Sequence, residues 1–313
     1  MDNKIIVVAG PTASGKTSLG IEIARAVNGE IISADSMQVY KGMPVATACP
    51  TKEEQTLAKH HLVEFLDPDD DFSVAAWCTL AKEKINDILS RNKVPVIVGG
   101  TGLFIDSLVD NIAFENIEVN QSLRDELMEK DCDYLYNELL KLDSEAAKNI
   151  HKNNKKRVVR ALELCYSGVT KTAQNDNSKK EPSPYDALYI VLDYNDRQKL
   201  YDRINKRVDI MLEQGLEDEA RANMNCKKST SAQAIGHKEL YPYINGEINL
   251  KDAVETLKQK TRNYAKRQIT WFKKRKDAVF LSPDLMTGEQ LREKAIKLCE
   301  DFINGQFQKG KSE

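Results

Sequence analysis

The chain has 313 residues, 41% of them hydrophobic and 30% charged, which suffices for one large domain or two modest ones. Its 46 Lys and Arg residues nearly balance its 48 Asp and Glu residues, and the formal net charge is −2, so a nucleic-acid surface would have to come from local basic clusters. None of the six cysteines forms a C-x-x-C pair, so we predict no zinc site. No signal peptide precedes the first apolar run, and no apolar run approaches membrane-spanning length. We therefore predict a cytoplasmic protein without a membrane partner.

Short apolar runs alternate with helical stretches along most of the chain. Strands are predicted at 5–9, 30–34, 94–98, 187–193 and 278–281. Helices are predicted at 16–27, 73–90, 196–214, 217–224 and 253–276. Pro95 near the start of the third run favours a first position or an edge strand. Continuous apolar strands between helices predict an α/β fold, a P-loop-containing doubly wound parallel sheet with helices on both faces.

The pattern changes between 111 and 185, where helical periodicity continues without a convincing strand. The strand signature returns at 187–193. We therefore predict a core formed by 1–110 and 186–313, interrupted by a helical insertion domain at 111–185.

A phosphate-binding motif follows the first strand. The segment Gly10-Pro11-Thr12-Ala13-Ser14-Gly15-Lys16-Thr17 fits G-x-x-x-x-G-K-[ST] and opens a predicted helix. Its backbone N–H groups and the positive end of the helix can surround phosphate oxygens. Lys16 adds a full charge and the Thr17 hydroxyl can bind Mg²⁺. The motif predicts a diphosphate or triphosphate ligand without saying which.

Three classes of protein use such a loop: NTPase switches, small-molecule kinases and transferases with a diphosphate donor. The guanine motif N-K-x-D is not formed at 92–95, which reads Asn-Lys-Val-Pro. The strand at 94–98 ends in Gly-Gly-Thr, not in the Asp expected of a motor-type ATPase. Asp35 and Ser36 follow the second strand, at the sheet edge where active sites form, although an Asp-Ser pair can also cap a turn.

Four segments together resemble one family. They are the phosphate motif, the segment Asp35-Ser36-Met37-Gln38-Val39-Tyr40, the segment Gly99-Gly100-Thr101-Gly102-Leu103, and the segment Ala265-Lys266-Arg267-Gln268-Ile269-Thr270-Trp271-Phe272. In this order they resemble the tRNA dimethylallyltransferases (isopentenyl-tRNA transferases), and the likeness runs from about Lys4 to Lys276. The chain departs from the family pattern at four positions, Ala46, Cys49, Gln233 and His237.

The resemblance implies a reaction. A dimethylallyl group would pass from dimethylallyl diphosphate to the exocyclic N6 amine of the adenosine 3′-adjacent to the anticodon, in tRNAs reading UNN codons, with release of diphosphate. The phosphate motif and Mg²⁺ would hold the donor, and Arg221 would contact its distal phosphate. Asp35 would accept a proton from the amine, and Thr101 would bond near the bridging oxygen or the acceptor base.

The resemblance also implies a tRNA surface. Met37, Gln38 and Val39, just past Asp35, would read a flipped adenine, and Ser36 would contact tRNA as well. The stretch 258–276 is basic and contains no Asp or Glu. The residues that we expect to contact tRNA there are Lys266, Arg267, Gln268, Trp271 and Lys273. Trp271 could equally anchor its helix to the core. The residues expected to do so in the insertion are Arg124, Lys156, Arg157, Val158, Val159 and Arg160. We expect the core and the insertion to grip the anticodon stem-loop. Nothing in the sequence requires more than a monomer for this function.

Two alternatives remain at this point. A P-loop kinase of a nucleoside or small metabolite would share the loop, Mg²⁺ and an Asp base, but would need neither the basic stretch nor the insertion. A non-catalytic paralogue would bind tRNA without transferring a prenyl group, and the departures at Ala46, Cys49 and His237 leave room for it.

Overall fold

The computed structural model describes residues 3–113, 120–173, 181–225 and 230–307. The chain divides into two compact units. The core unit comprises Met1–Val109 and Pro184–Glu313, and the inserted unit comprises Asp110–Ser183. No helix within the described ranges has the length and apolar character that a membrane span requires.

The core unit contains one six-stranded parallel sheet. Its strands are β1 (Lys4–Ala9), β2 (Gly29–Ser33), β3 (His60–His61), β4 (Val94–Gly99), β5 (Asp186–Leu192) and β6 (Val279–Leu281). Their order in the sheet is β3-β2-β4-β1-β5-β6, and every neighbouring pair is parallel. The predicted parallel α/β sheet is confirmed. Only β3 was missed, because two residues are too few to form a pattern.

Strand β4 lies between β2 and β1. Pro95 is its second residue, opposite Glu30 of β2. The prediction of a position near the strand start is confirmed, but the alternative of an edge strand is wrong. The proline lies where the ladder begins, so it removes no hydrogen bond from the middle of the strand.

Helices cover both faces of the sheet and make up the inserted unit. The helices of the core unit are α1 (Lys16–Ala26), α2 (Pro44–Thr47), α3 (Lys52–Leu57), α4 (Val74–Ser90), α5 (Gly102–Val109), α10 (Arg197–Glu213), α11 (Leu216–Ala222), α12 (His237–Ile244), α13 (Leu250–Phe272) and α14 (Gly288–Ile303). Those of the inserted unit are α6 (Gln121–Glu129), α7 (Cys132–Leu142), α8 (Ser144–Asn149) and α9 (Lys155–Tyr166).

Strand β1 shows why the sheet is buried on both sides. Ile5 and Val7 pack with α4, α5 and α13 on one face, whereas Ile6 and Val8 pack with α1 and α14 on the other. All four side chains are fully buried. Alternate residues of a strand point to opposite faces, so a continuous apolar run requires a cover on each side.

Side-chain caps fix several helix boundaries. Ser73 accepts a hydrogen bond from the Ala76 amide at 3.1 Å, as expected for the start of α4. Asn249 accepts one from the Asp252 amide at 3.0 Å, so α13 begins three residues earlier than its apolar periodicity indicated. The side-chain oxygen satisfies an amide that has no partner within the helix.

The inserted unit has its own small core. Leu127 of α6, Leu135 and Leu139 of α7, and Leu162 of α9 pack together there. The described residues of this unit form helices and no strand, which agrees with the periodicity of the sequence.

Candidate active site

The phosphate loop joins the end of β1 to the start of α1. Gly10 approaches β5 so closely that a Cβ atom would lie 2.9 Å from the Leu192 carbonyl oxygen. Gly15, just before α1, has a φ of 96°, a left-handed conformation that favours glycine. Within the described part of the chain the buried Ser14 hydroxyl has no hydrogen-bond partner. The loop thus carries the conformation and polar groups that a bound phosphate requires.

Three cations surround this loop. Burial, reinforced by the positive charge of Arg207, lowers the pKa of Lys16 to about 8, while Asp35 acts in the opposite direction. Arg207 donates to the Thr12 hydroxyl oxygen at 3.1 Å, and Arg203 donates to the Ala13 carbonyl at 2.9 Å. Burial also lowers the pKa of Arg207. Lys16 and Arg207 are half-buried and Arg203 is exposed. Because Arg207 repels the charge of Lys16, an anion between them would relieve that repulsion.

Neither arginine was predicted from the sequence. Arg203 and Arg207 lie four residues apart on α10, and this spacing places both side chains on one face of a helix. The i, i+4 spacing of these two arginines is visible in the predicted helix at 196–214. The spacing does not show, however, that this helix face contacts the phosphate loop.

The loop forms part of the wall of a cavity of about 1640 Å³ in the core unit. The segment 44–52 and Tyr264 also line it. The predicted site residues in its wall are Thr12, Ala13, Gly15, Lys16, Thr17, Asp35, Ser36, Met37, Gln38, Arg267 and Gln268. The predicted residues of the core unit that are not among the described wall residues are Gly10, Pro11, Ser14, Thr101, Arg221, Lys266, Trp271 and Lys273.

Asp35 follows β2 and faces the cavity. Its Oδ1 accepts hydrogen bonds from the amides of Met37 at 2.9 Å and Gln38 at 3.4 Å. Among the described residues no donor bonds to Oδ2. One oxygen therefore fixes the carboxylate, and the other is available to a bound molecule.

Thr101 lies between β4 and α5, beside Asp35's neighbour Ser36. Close approach of β2 and β4 brings them together, because a Cβ atom on Gly99 would lie only 2.1 Å from the Ala34 carbonyl oxygen. Thr101 Oγ1 accepts from the Ser36 amide at 3.0 Å and is 3.4 Å from Ser36 Oγ. Tyr264 lies close enough to Thr101 and Asp35 for both to influence the pKa of its hydroxyl, which burial raises. Ser36 and Tyr264 both line the cavity, so Thr101 lies at its margin.

The amide of Gln38 is already used inside the protein. Its Oε1 accepts from Ser33 Oγ at 2.9 Å, and its Nε2 donates to the carbonyls of Thr47 at 3.3 Å and Ala48 at 3.0 Å. These bonds tie the segment 44–52 to β2. Reading a base with this amide would require them to open, so the structure supports a positioning role for Gln38. Val39 is fully buried, so the expectation that its side chain reads a base is wrong.

Gln268 has a similar place in the wall. Its Oε1 accepts from the Thr12 amide at 2.9 Å, and its Nε2 donates to the Gly100 carbonyl at 2.9 Å. The side chain is buried. It therefore joins the phosphate loop to the segment that follows β4, and its amide is not presented to a nucleic acid.

Arg221 is not brought to the phosphate loop. Its Nη2 is 2.7 Å from Glu217 Oε1 on the same turn of α11, and the side chain is about half exposed. The family likeness implied that Arg221 contacts the distal phosphate, but the arginines that contact the loop are Arg203 and Arg207.

The other predicted tRNA residues of α13 and its C-terminal end differ in exposure. Trp271 Nε1 donates to Asp106 at 2.6 Å, which anchors α13 to α5, while part of the indole remains exposed. Lys273 pairs with Asp193 at 3.2 Å. Lys266 lies 5.7 Å from the centre of the Tyr201 ring. The anchoring function anticipated for Trp271 is present, and the lysines retain exposed side chains.

The predicted contacts of the inserted unit need correction at two positions. Val158 and Val159 are buried in the core of this unit, because their positions on α9 face α6 and α7, so their side chains cannot meet tRNA. Lys156 and Arg157 on the same helix are exposed.

Arg124 of the inserted unit has a structural partner. Its Nε and Nη2 donate to the two carboxylate oxygens of Glu163 at 2.6 and 3.0 Å. Arg160 Nη1 donates to the same carboxylate at 3.0 Å. The pair of arginines compensates a buried negative charge, and this holds α6 against α9.

Two departures from the family pattern meet at one carboxylate. Glu219 of α11 accepts from the amides of Val45 at 2.7 Å and Ala46 at 2.9 Å, and its Oε1 is 2.8 Å from His237 Nε2. His237 is buried. The residues that replace the usual ones therefore still hold the segment 44–52 in place.

A divalent cation would find few protein ligands here. Among the described residues no three His, Cys, Asp or Glu side chains cluster in a metal-binding arrangement. Thr17 lies in the cavity wall. Mg²⁺ is commonly held by one or two protein groups together with phosphate oxygens and water, and the Thr17 hydroxyl beside the phosphate loop fits that pattern.

Comparison with known proteins identifies relatives over the whole chain. A family model described as IPP transferase matches residues 38–275, and one described as isopentenyl transferase matches residues 3–66. A tRNA dimethylallyltransferase of Acetivibrio thermocellus is 47% identical over 311 residues, covering 97% of this chain and 98% of the relative.

Solved structures agree. The tRNA isopentenylpyrophosphate transferase of Staphylococcus epidermidis is 42% identical, with a TM-score of 0.71 over 97% of this chain and 99% of its own. A eukaryotic dimethylallyltransferase described as acting on tRNA is 31% identical, with a TM-score of 0.84 over 99% of this chain and 81% of its own. Neither the sequence relatives nor the structures favour a small-molecule kinase.

Proposed function

Because this chain belongs to the IPP transferase family, whose curated members are tRNA dimethylallyltransferases, we propose that it transfers a dimethylallyl group from dimethylallyl diphosphate to tRNA. The acceptor is the exocyclic N6 amine of the adenosine 3′-adjacent to the anticodon in tRNAs reading UNN codons, and diphosphate is released. The observation that carries the proposal is the joint presence, in one cavity, of a cationic phosphate loop and a carboxylate with a free oxygen.

The donor's diphosphate occupies the phosphate loop. Lys16, Arg203 and Arg207 neutralise the charge that grows on the leaving oxygens as the bond from C1 to the bridging oxygen breaks. Arg207 is the better candidate for the role that the family likeness gave to Arg221, because it bonds to Thr12 in the loop. The three cations are already in place, so little reorganisation accompanies the reaction.

Asp35 handles the acceptor. The N6 lone pair forms the new bond to C1, and the amine must lose a proton as it does so. The free Oδ2 of Asp35 accepts that proton, while the amides of Met37 and Gln38 hold Oδ1. Thr101, at the cavity margin, lies near the reacting atoms.

Thr17 would hold Mg²⁺ together with oxygens of the donor's diphosphate. When bound, the cation would stabilise negative charge on the departing diphosphate. The side chains described above bind and orient the donor with or without it.

The tRNA surface is proposed to consist of exposed basic residues in both units. These are Lys156 and Arg157 of the inserted unit and Lys266, Arg267, Lys273, Lys274 and Lys276 of the core unit. The active form is proposed to be a monomer, and a tRNA acceptor supports a cytoplasmic site of action.

Nucleoside analysis tests the proposal. Unmodified tRNA is incubated with dimethylallyl diphosphate and the protein, digested, and examined by mass spectrometry. We expect N6-dimethylallyladenosine with wild-type protein and a loss of at least about a hundredfold in rate with Asp35→Asn. tRNA binding without any modified nucleoside would instead support the non-catalytic paralogue, and transfer of label from γ-labelled ATP to a small acceptor would support a kinase.

A further inference from the structure

Gln268 of α13 is buried against the phosphate loop, although the family likeness implied that it contacts tRNA. Its relative exposure is only 5%, whereas the preceding residues Lys266 and Arg267 are exposed. The helix therefore turns these two basic side chains outward and the amide of Gln268 inward. The proposed mechanism assigns no role to this buried amide.

The two hydrogen bonds of Gln268 require a side chain that both accepts and donates. Its Oε1 accepts from the Thr12 amide at 2.9 Å, and its Nε2 donates to the Gly100 carbonyl at 2.9 Å. A carboxylate would turn an oxygen toward the Gly100 carbonyl, and an alkyl side chain would form neither bond. The two partners thus fix the orientation of the amide between the phosphate loop and the segment after β4.

Gly100 provides the space that this contact needs. A Cβ atom at this position would lie 2.3 Å from Gln268 Nε2, so the glutamine amide would have to move. The φ of Gly100 lies outside the left-handed region, so space rather than backbone conformation requires glycine here. A glycine of the motif after β4 therefore serves a side chain 168 positions further along the chain.

The phosphate loop contains a backbone conformation that needs support from its surroundings. Ala13 has a φ of 61°, in the left-handed region that residues with a Cβ atom adopt at a cost in free energy. Such a conformation persists where neighbouring groups hold the backbone. Gln268 holds the amide of the preceding residue, Thr12, and Arg203 Nε donates to the carbonyl of Ala13 at 2.9 Å. The two supports come from different helices, α13 and α10.

We propose that Gln268 is a positioning residue that holds the Thr12 amide and thereby keeps the phosphate loop in its diphosphate-binding conformation before the donor binds. The inference rests on the proposed function for the identity of the ligand as a diphosphate. A loop that is already formed loses little conformational freedom on binding, so the contribution of Gln268 is to donor affinity. This role replaces the tRNA contact that the family likeness implied for the same residue.

Steady-state kinetics of Gln268→Met test the inference, because this change keeps the length of the side chain and removes both hydrogen bonds. We expect KM for dimethylallyl diphosphate to rise about tenfold. We expect kcat and KM for tRNA to stay within about twofold of wild type, since the loss affects the ground state and the transition state alike. Gln259→Met, the same change at an exposed position of α13, is the matched control. An unchanged KM for the donor would overturn the inference, and a raised KM for tRNA beside it would mark Gln268 as a tRNA contact.

The variant Ala13→Gly gives a readout that a merely structural glutamine would not move. Glycine adopts a positive φ without strain, so a loop with this change needs less support from Gln268. In the Ala13→Gly background, Gln268→Met should raise KM for the donor by less than about threefold instead of about tenfold. Equal increases in the two backgrounds would overturn the inference.

The variant Gly100→Ala disturbs the same contact while Gln268 itself is kept. The added methyl group displaces the amide, and we expect KM for the donor to rise about tenfold here as well. Thermal unfolding shows which variants are folded. If Gln268→Met does not fold, Gly100→Ala decides in its place, and a wild-type KM for the donor in that variant would overturn the inference.

Calorimetry with pyrophosphate and Mg²⁺ separates failure of the inference from failure of the proposed function. Pyrophosphate binding needs no prenyl transfer, so its affinity reports on the phosphate loop alone. If the wild-type protein forms no dimethylallyladenosine, the proposed function is wrong, and a loss of about tenfold in pyrophosphate affinity with Gln268→Met would still support the inference. If the wild type is active and Gln268→Met binds pyrophosphate equally well, the inference alone is wrong.

Discussion

Lys16 lies in the phosphate loop with a pKa lowered from the ordinary 10.5 to about 8 by burial and by Arg207. Below pH 8 the folded protein carries this charge at a cost that the unfolded chain does not have. Between pH 8 and 10.5 the unfolded chain binds more protons than the folded one, so stability rises with pH in that window. The charge that would bind a diphosphate therefore destabilises the protein that has no donor bound.

Replacement of Lys16 by Met should accordingly raise stability while removing activity. At pH 7 we expect Lys16→Met to unfold a few degrees above the wild type, because the buried charge is gone. At pH 10 the difference should largely vanish. Thermal unfolding at both pH values measures this, and an Lys16→Met protein that melts below wild type at pH 7 would contradict the reasoning.

Arg207 and Arg221 give opposite expectations for the same substitution. Arg207→Gln removes a partly buried cation that contacts the phosphate loop, and we expect kcat/KM for dimethylallyl diphosphate to fall about a hundredfold or more. Arg221→Gln removes only an exposed ion pair with Glu217, and should change kcat/KM by less than about twofold. Steady-state kinetics with saturating tRNA compare the two variants. A large loss with Arg221→Gln and a small one with Arg207→Gln would instead support Arg221 as the contact of the distal phosphate, as the family likeness implied.

At the scale of elements, the segment 44–52 depends on contacts that come from elsewhere in the chain. Glu219 receives two of its amides and the imidazole of His237, and Gln38 holds two of its carbonyls. The helix α2 within it is only four residues long, so it cannot be stable by itself. This part of the cavity wall is thus held in place by tertiary hydrogen bonds.

Glu219→Gln should loosen this wall. The amide cannot accept three hydrogen bonds with the strength of a carboxylate, and we expect a loss of about 1–3 kcal/mol in the free energy of unfolding. Hydrogen exchange should accelerate at 44–52 more than in the sheet. Glu217→Gln on the same helix, whose carboxylate is more exposed, is the control, and equal exchange in the two variants would count against this role of Glu219.

The elements that could be predicted from the sequence are those whose signal is local. Strands such as β1 follow from an uninterrupted apolar run, and the phosphate loop follows from residue types that its backbone conformation demands. Arg207 and the bridging amide of Gln268 could not be placed in this way, because each acquires its role from a partner distant in sequence. Helical spacing shows which residues share a face but not what that face meets.

For the whole molecule, a net charge of −2 conceals two basic surfaces. One follows α13 and its C-terminal end, where Lys274 and Lys276 are exposed, and the other lies on α9 of the inserted unit, where Lys156 and Arg157 are exposed. The described residues that line the donor cavity, in contrast, all belong to the core unit. Donor binding and tRNA binding should therefore be separable by mutation.

Salt dependence of tRNA binding measures this separation. Each basic side chain that contacts a phosphate adds somewhat less than one to the slope of log K against log salt. We expect the double variant Lys274→Ala with Lys276→Ala to reduce the slope by about 1.5, and Lys156→Ala with Arg157→Ala to reduce it by the same amount. The effects of the two pairs should add when all four changes are combined, because the pairs lie in separate units. Lys294→Ala with Lys297→Ala on α14 is the control and should leave the slope unchanged. Affinity for dimethylallyl diphosphate, measured by calorimetry, should be the same in every variant. If replacing either basic pair leaves the slope at its wild-type value, that surface does not bind the tRNA backbone. If the affinity for the donor falls together with the affinity for tRNA, donor binding and tRNA binding are not divided between the cavity and these surfaces.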